Sequence, residues 1–213
     1  MRITLLLAIA CLGVVPSLLS AGVIEFTNRS AWLAAAGVTT NIDFEGIAPA
    51  GGSKDFAGPL TLSGVVFSGP NGVSVRSAGF DYVNAWGSGD KLQASFSTEF
   101  DITLPSGVTA VGSDIMITST FFLNLQGGTY TATLSTGDVF TNIFSSGPPT
   151  RSFVGFISTS PITSLKLVSN PSLAMIDNFA INSAVPEPGS LSLFCPGLLG
   201  IVALLARPRK MSR

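Results

Sequence analysis

Polar and apolar positions fall into three regimes along the chain. At the N-terminus Arg2 precedes an apolar run over residues 3–15, which closes on Pro16 and the small residues Ser20, Ala21 and Gly22. Near the C-terminus a second apolar run over 191–206 leads into Arg207, Arg209, Lys210 and Arg213. Between them, short bursts of Val, Ile, Phe and Thr are broken at intervals by Gly, Pro, Asn, Asp and Ser. That middle pattern predicts strands at 23–27, 39–45, 65–68, 72–76, 92–96, 100–104, 108–117, 121–125, 130–135, 139–144, 152–157, 162–168 and 174–182. Many short strands at roughly 8 to 12-residue spacing indicate a sandwich or barrel rather than βαβ units. Alternation is clearest where Tyr130, Ala132 and Leu134 interleave with Thr129, Thr131 and Thr133, the signature of one buried and one wet face. A single helix is expected at 30–36, capped by Asn28 or Ser30, with Trp32, Leu33 and Ala36 as its apolar face and Gly37 as its stop. The expected fold is all-β: one antiparallel β-sandwich, jelly-roll-like, with one short N-terminal helix and no internal repeat.

The two ends read as addresses. Residues 1–22 have the charged start, apolar middle and small-residue close of a secretory signal peptide, with Ser20 and Gly22 at the two small positions. The competing reading, a membrane helix, requires more length: the run rises only about 20 Å as a helix against ~30 Å of hydrocarbon. The C-terminal run reaches about 24 Å, and flanking arginines can snorkel to cover the deficit. It is apolar all round, unlike a helix buried on one side of a soluble domain. A basic cluster stays cytoplasmic, which places the middle of the chain beyond the inner membrane.

Composition sharpens this division. Of 213 residues 46% are hydrophobic and 11% charged, and histidine is absent. Both cysteines, Cys11 and Cys195, lie in the terminal segments, so the middle has no disulfide, thiol nucleophile or Cys metal ligand. Residues 23–184 carry eleven acidic and six basic side chains, a net charge of −5. A mildly acidic domain without a basic patch is a poor nucleic-acid binder. The chain is therefore expected to divide into a signal peptide (1–22), an exported β-sandwich domain (23–184) and a C-terminal segment with a transmembrane helix (185–213).

The order Val185-Pro186-Glu187-Pro188, apolar segment, terminal Arg/Lys cluster resembles the PEP-CTERM sorting signal of Gram-negative bacteria that make exopolysaccharide. The same kind of tail is also described as an ice-binding-protein C-terminal domain. The resemblance covers about residues 185 to 213. It implies an exosortase-type membrane enzyme as partner, one that reads the motif, processes the tail and sends the protein to the cell surface or extracellular matrix. Cys195-Pro196 within the apolar segment and Pro208 within the basic cluster depart from the pattern, because proline breaks a helix.

Within the middle, Asp43-Phe44-Glu45 and Ile176-Asp177-Asn178-Phe179 resemble the corresponding stretches of carbohydrate-binding-module jelly rolls. In such modules acidic residues at the ends of the first and last strands hold a structural calcium. Carried over, this implies Glu45 and Asp177 as ligands, with Asp43 a third. Asp43 and Glu45 are two apart and share a strand face. Asp177 has apolar neighbours on both faces, and a buried carboxylate demands a cation, an arginine or several N–H donors. The alternative is that Asp177 accepts hydrogen bonds from a turn while Asp43 and Glu45 face water; calcium takes six to eight oxygens, and only three donors are named.

The stretch 76–91 mixes aromatic, acidic, amide and small residues. Tyr82 or Trp86 there can stack a sugar ring while Asp81 and Asn84 bond its hydroxyls, an arrangement suited to polysaccharide; alternatively Trp86 plugs one end of the sandwich. Catalytic sets are scarce. Without histidine there is no Ser-His-Asp or Cys-His unit, and neither a G-x-S-x-G elbow nor a P-loop lysine occurs. Glycoside hydrolysis needs only two carboxylates, which Asp43/Glu45 or Glu99/Asp101 could supply. The chain is thus expected to be a non-enzymatic binding or structural module, with a secreted glycan-active hydrolase as the alternative. The threonine row 129, 131 and 133 is what any wet strand face shows.

Overall fold

Short β-branched and aromatic runs separated by turn residues cannot bury an apolar face alone, so they pair across the sequence into two sheets. The computed structural model describes residues 22–77, 80, 89–94, 97–118, 128–144, 152–171 and 173–182. Among them, in chain order, are β1 (Val23–Phe26), helix α1 (Arg29–Ala36), β2 (Thr39–Ile42), β3 (Ser53–Phe56), β4 (Leu60–Leu62), β5 (Val65–Ser68), β6 (Val73–Arg76), β7 (Lys91–Ala94), β8 (Glu99–Thr103), β9 (Ala110–Thr118), β10 (Gly128–Leu134), β11 (Val139–Phe144), β12 (Ser152–Ser158), β13 (Ser164–Asn170) and β14 (Leu173–Asn182). The first sheet runs β1-β12-β9-β14-β7-β6-β3, with β2 also on β14; the second runs β11-β10-β13-β8-β5-β4. Every pairing between these strands is antiparallel. The fold is an antiparallel β-sandwich of the jelly-roll kind.

The inner faces meet over a continuous core that includes Phe44, Val65, Phe67, Phe100, Ile115, Phe156, Ile176 and Phe179. Phe67 is its hub: its ring centroid lies 5.4 Å from Phe44 and 5.2 Å from Phe179, both edge-on, the geometry aromatic quadrupoles favour. As the alternation predicts, Tyr130, Ala132 and Leu134 point inward and the threonines between them outward.

The first sheet is also covered on its outer side. Asn28 caps α1, its Oδ1 accepting from the Ala31 N–H at 2.9 Å, and Gly37 ends it at φ 76°. Trp32 is wholly buried against β9 and β12, donating from Nε1 to the Phe156 carbonyl at 3.3 Å. It fits because Gly112 and Gly155 face each other in the β9–β12 register. A Cβ on Gly155 would lie 2.5 Å from Trp32 Cδ1, and one on Gly112 would lie 2.6 Å from Phe153 Cζ.

Beyond shifts of one or two residues at strand ends, the fold departs from the expected elements in four places. Leu33 does not join the helix's buried face but is 40% exposed, since two turns of helix present only the 32/36 stripe to the sheet. Strand β2 ends at Ile42 rather than at 45. Strands β3 and β4 are additional: β3 is the polar edge sequence SKDF and β4 is three residues long. Charged side chains are a normal device on an edge strand and carry no period-2 apolar signal. The expected strand 121–125 lies outside the described residues, as do residues 1–21 of the expected signal peptide 1–22, the motif Val185-Pro186-Glu187-Pro188, the expected helix over the apolar run 191–206 and the cluster Arg207, Arg209, Lys210 and Arg213. Contacts divide the chain into units Met1–Ser183 and Ala184–Arg213, the second wholly outside the described residues. Among the described residues no helix is long and apolar enough to cross a membrane.

The glycine pair beneath Trp32 gives a direct check. Gly155→Ala should lower unfolding free energy by about 1–3 kcal/mol through overpacking, measured by urea denaturation, whereas Gly58→Ala, with no atom within 4 Å of the added Cβ, should change it little.

Candidate functional site

Parity alone sends one set of polar side chains to the outer face of the first sheet. Leu92 and Ile176 are core residues, so Lys91 on β7 and Asp177 on β14 project the other way. The register pairs Met175 with Gln93 and Ile176 with Leu92, and its next position sets Asp177 across from Lys91. On their far sides Asp177 pairs with Asp114 of β9, and Lys91 with Arg76 of β6. A row Asp114–Asp177–Lys91–Arg76 thus crosses four strands. Asp177 is 4% exposed and Lys91 not at all.

Both ends of the row are tied down. Arg29 of α1 reaches Asp114 Oδ1 from Nη2 at 3.1 Å, donates from Nη2 to the Asn178 carbonyl at 2.8 Å, and lies 4.6 Å over the Phe153 ring. At the other end the Arg76 guanidinium lies 4.6 Å over Phe80. A β-bulge interrupts β14 between Asp177 and Ala180. Its Asn178 takes a left-handed φ of 47°, a conformation asparagine tolerates. From there the Asn178 N–H donates to Asp177 Oδ1 at 2.7 Å and Nδ2 to Asp114 Oδ2 at 3.1 Å. Burial pushes the Asp177 carboxyl above the usual range; the Asn178 N–H and then the Lys91 charge pull it back, while Asp114 and Glu45 add to the rise.

Of the three carboxylates expected to bind calcium, Asp177 is buried in this row, whereas Asp43 and Glu45 are exposed on either side of buried Phe44. Glu45 Oε1 accepts from the Asp90 N–H at 2.9 Å, and Asp90 Oδ2 accepts from the Ala48 N–H at 3.3 Å. Glu45 and Asp177 thus belong to one neighbourhood and interact through their charges. Among the described residues no three acidic groups gather about a point that could hold a metal ion. Asp81, Tyr82, Asn84 and Trp86 lie outside the described residues. The other acidic pair, Glu99 and Asp101, lies on the outward face of β8, where Glu99 Oε1 meets Lys166 Nζ at 2.6 Å.

A second polar group, which no sequence motif announces, lies at the edge of the sandwich. Glu25 has the inward parity of Val23 on β1, and it meets inward Tyr130 and Asn142 of the opposite sheet. Its Oε1 accepts from the Tyr130 hydroxyl at 3.2 Å and from Asn142 Nδ2, and Nδ2 also donates to the Tyr130 oxygen at 2.9 Å. Strand β1 covers β12 only from Gly155 to Ser158. Among the described residues no strand pairs with 152–154 on that side. The opening is a cleft of about 310 Å³, lined by Thr27, Tyr130, Asn142 and Ser152 and by the apolar Ile143, Phe153 and Val154. One sequence signal was present, since Tyr130 shares parity with Ala132 and Leu134, but its partners lie 105 and 12 residues away.

No protein-family model and no curated protein matches the chain. Among solved structures it is similar to the CsCBM6-3 module of Clostridium stercorarium in complex with cellobiose, at 16% identity and a TM-score of 0.33, covering 63% of this chain and 95% of that one. It is similar also to the CBM22-1 xylan-binding domain of Paenibacillus barcinonensis Xyn10C, at 14% identity and a TM-score of 0.31, covering 63% and 94%.

Burial, then the Glu25 charge and hydrogen bond, raise the Tyr130 hydroxyl well above an ordinary phenol, against a smaller opposite pull from Asn142. The unfolded chain releases this proton near pH 10 and the fold does not. The stability it supplies is therefore complete below about pH 10 and is lost as pH rises beyond. In Tyr82→Phe protein, ultraviolet titration should show no tyrosinate until unfolding, and Tyr130→Phe should flatten the alkaline fall in stability.

Proposed function

We propose that this chain is an exported, non-enzymatic binding module that holds polysaccharide at the cell surface or in the extracellular matrix. The observation that carries the reading is the edge cleft. It sets a network of hydroxyl, amide and carboxylate groups beside the edges of buried Phe153 and Val154 and the exposed Ile143. A sugar ring offers that same combination of ring-hydroxyl donors and acceptors with an apolar C–H face. Tyr82 and Trp86, with Asp81 and Asn84, would supply further sugar contacts by stacking and hydrogen bonding. Delivery rests on the two terminal segments: a signal peptide starts export, the C-terminal helix holds the chain transiently in the inner membrane, and an exosortase-type enzyme reads Val185-Pro186-Glu187-Pro188.

Hydrolysis finds no favouring observation. Glu99 is engaged by Lys166, and Glu45 by the Asp90 backbone.

Affinity electrophoresis of the full-length protein through gels cast with exopolysaccharide tests the cleft. Asn142→Ala should weaken retention up to about tenfold, the worth of one hydrogen bond. Retention unchanged in Asn142→Ala and Ser152→Ala would defeat it, as would polysaccharide cleavage abolished by Glu45→Gln or Asp101→Asn. Replacing Pro186-Glu187-Pro188 by alanines should leave the chain in the inner-membrane fraction, whereas intact protein in the cytosol would refute the export route.

A further inference from the structure

We propose that the ammonium of Lys91, and not a calcium ion, is the cation that balances the acidic groups where β2 and β7 meet on β14. Both strands use the same edge of β14: β7 takes Met175 and Ile176, and β2 takes Phe179 to Asn182. Asp177 and Asn178 fall in the gap between them, at the bulge. A cation is needed there because Asp177 is buried and faces a second carboxylate, Asp114, across the ladder.

Lys91 fills that need by position. Its side chain is wholly buried on the same face as Asp177, one register step beyond the last hydrogen-bonded pair. Its Nζ donates to the Gly89 carbonyl, which holds the ammonium at the turn where Glu45 closes on the Asp90 N–H. That turn is built around glycine: Gly89 has φ 110°, and a Cβ there would collide with Glu45 Oε1. The ammonium therefore lies in the neighbourhood that Glu45 and Asp177 would have to vacate for a metal.

The oxygen inventory argues the same way. Calcium takes six to eight oxygen ligands. Of the carboxylates near the junction, Glu45 Oε1, Asp90 Oδ2, both oxygens of Asp114 and Asp177 Oδ1 already accept hydrogen bonds. A divalent ion would have to share these oxygens with their N–H donors and lie against a buried ammonium, a like charge in a site of low dielectric. The set fits a lysine and does not fit calcium.

Thermal unfolding of the full-length protein, followed by circular dichroism, decides between the two. The wild type should melt at the same temperature with added calcium chloride and with EDTA, and calorimetric titration with calcium should give no binding heat. Lys91→Met should lower the melting temperature by about 10 °C, as expected when one partner of a buried pair is removed. Adding Asp177→Asn to Lys91→Met should recover most of that loss. A calcium-dependent rise in the wild type that Asp177→Asn abolishes would overturn the proposal, as would Lys91→Met melting like the wild type. Should Lys91→Met not fold, the wild-type calcium titration alone decides: binding heat overturns the proposal, and its absence supports it.

Discussion

The constraint from which the rest follows is that the middle of the first sheet is buried on both sides, and that its outer side there is charged. Asp177 and Lys91 face each other there, flanked by Asp114 and Arg76. Buried charges of opposite sign hold one another at a fixed register, because a one-residue slip would throw each onto the apolar inner face. The bulge at Asn178, the transfer of the β14 edge from β7 to β2, and the reach of Arg29 from α1 all converge on that row. Beside it the cover is apolar: Trp32 presses on the facing glycines of β9 and β12, which leave the room its ring needs. One side chain, Phe153, joins the two halves, lying under Arg29 and against Trp32.

The edge cleft has a different origin. Strand β1 is only four residues long, leaving part of β12 without a described neighbour on one side. An inward Glu25 would be costly in the middle of a core, but at this edge it finds the Tyr130 hydroxyl and the Asn142 amide. The strand whose outward residues include Ile143, 82% exposed, continues from the cleft wall to open surface. Polar groups held in fixed geometry next to exposed apolar area are what a soluble ligand with both characters requires.

Local signals were legible where the physics is local. The caps of α1, the alternation along β10 and the ends of β5 and β11 follow from side-chain period and turn residues. Polar β3 and three-residue β4 were not legible, because their place is set by pairing with β6 and β5. Asp177 was legible as a buried acid in need of a counter-charge. That Lys91 stands across from it was not, since the two are far apart in sequence and the register of β7 on β14 brings them together. Glu25 was passed over for the same reason: its partners arrive from the other sheet.

By itself, then, the sequence determined the class: an all-β sandwich with one capped helix, apolar ends, and a middle free of histidine and thiols, each read from periodicity and composition. Tertiary structure alone decided which polar residues share a site, because antiparallel registers and the meeting of two sheets join groups that no spacing along the chain connects. It also decided which charges are buried, since that depends on what packs over the first sheet, as α1 does over β12 and β9, rather than on any residue's own neighbours in sequence.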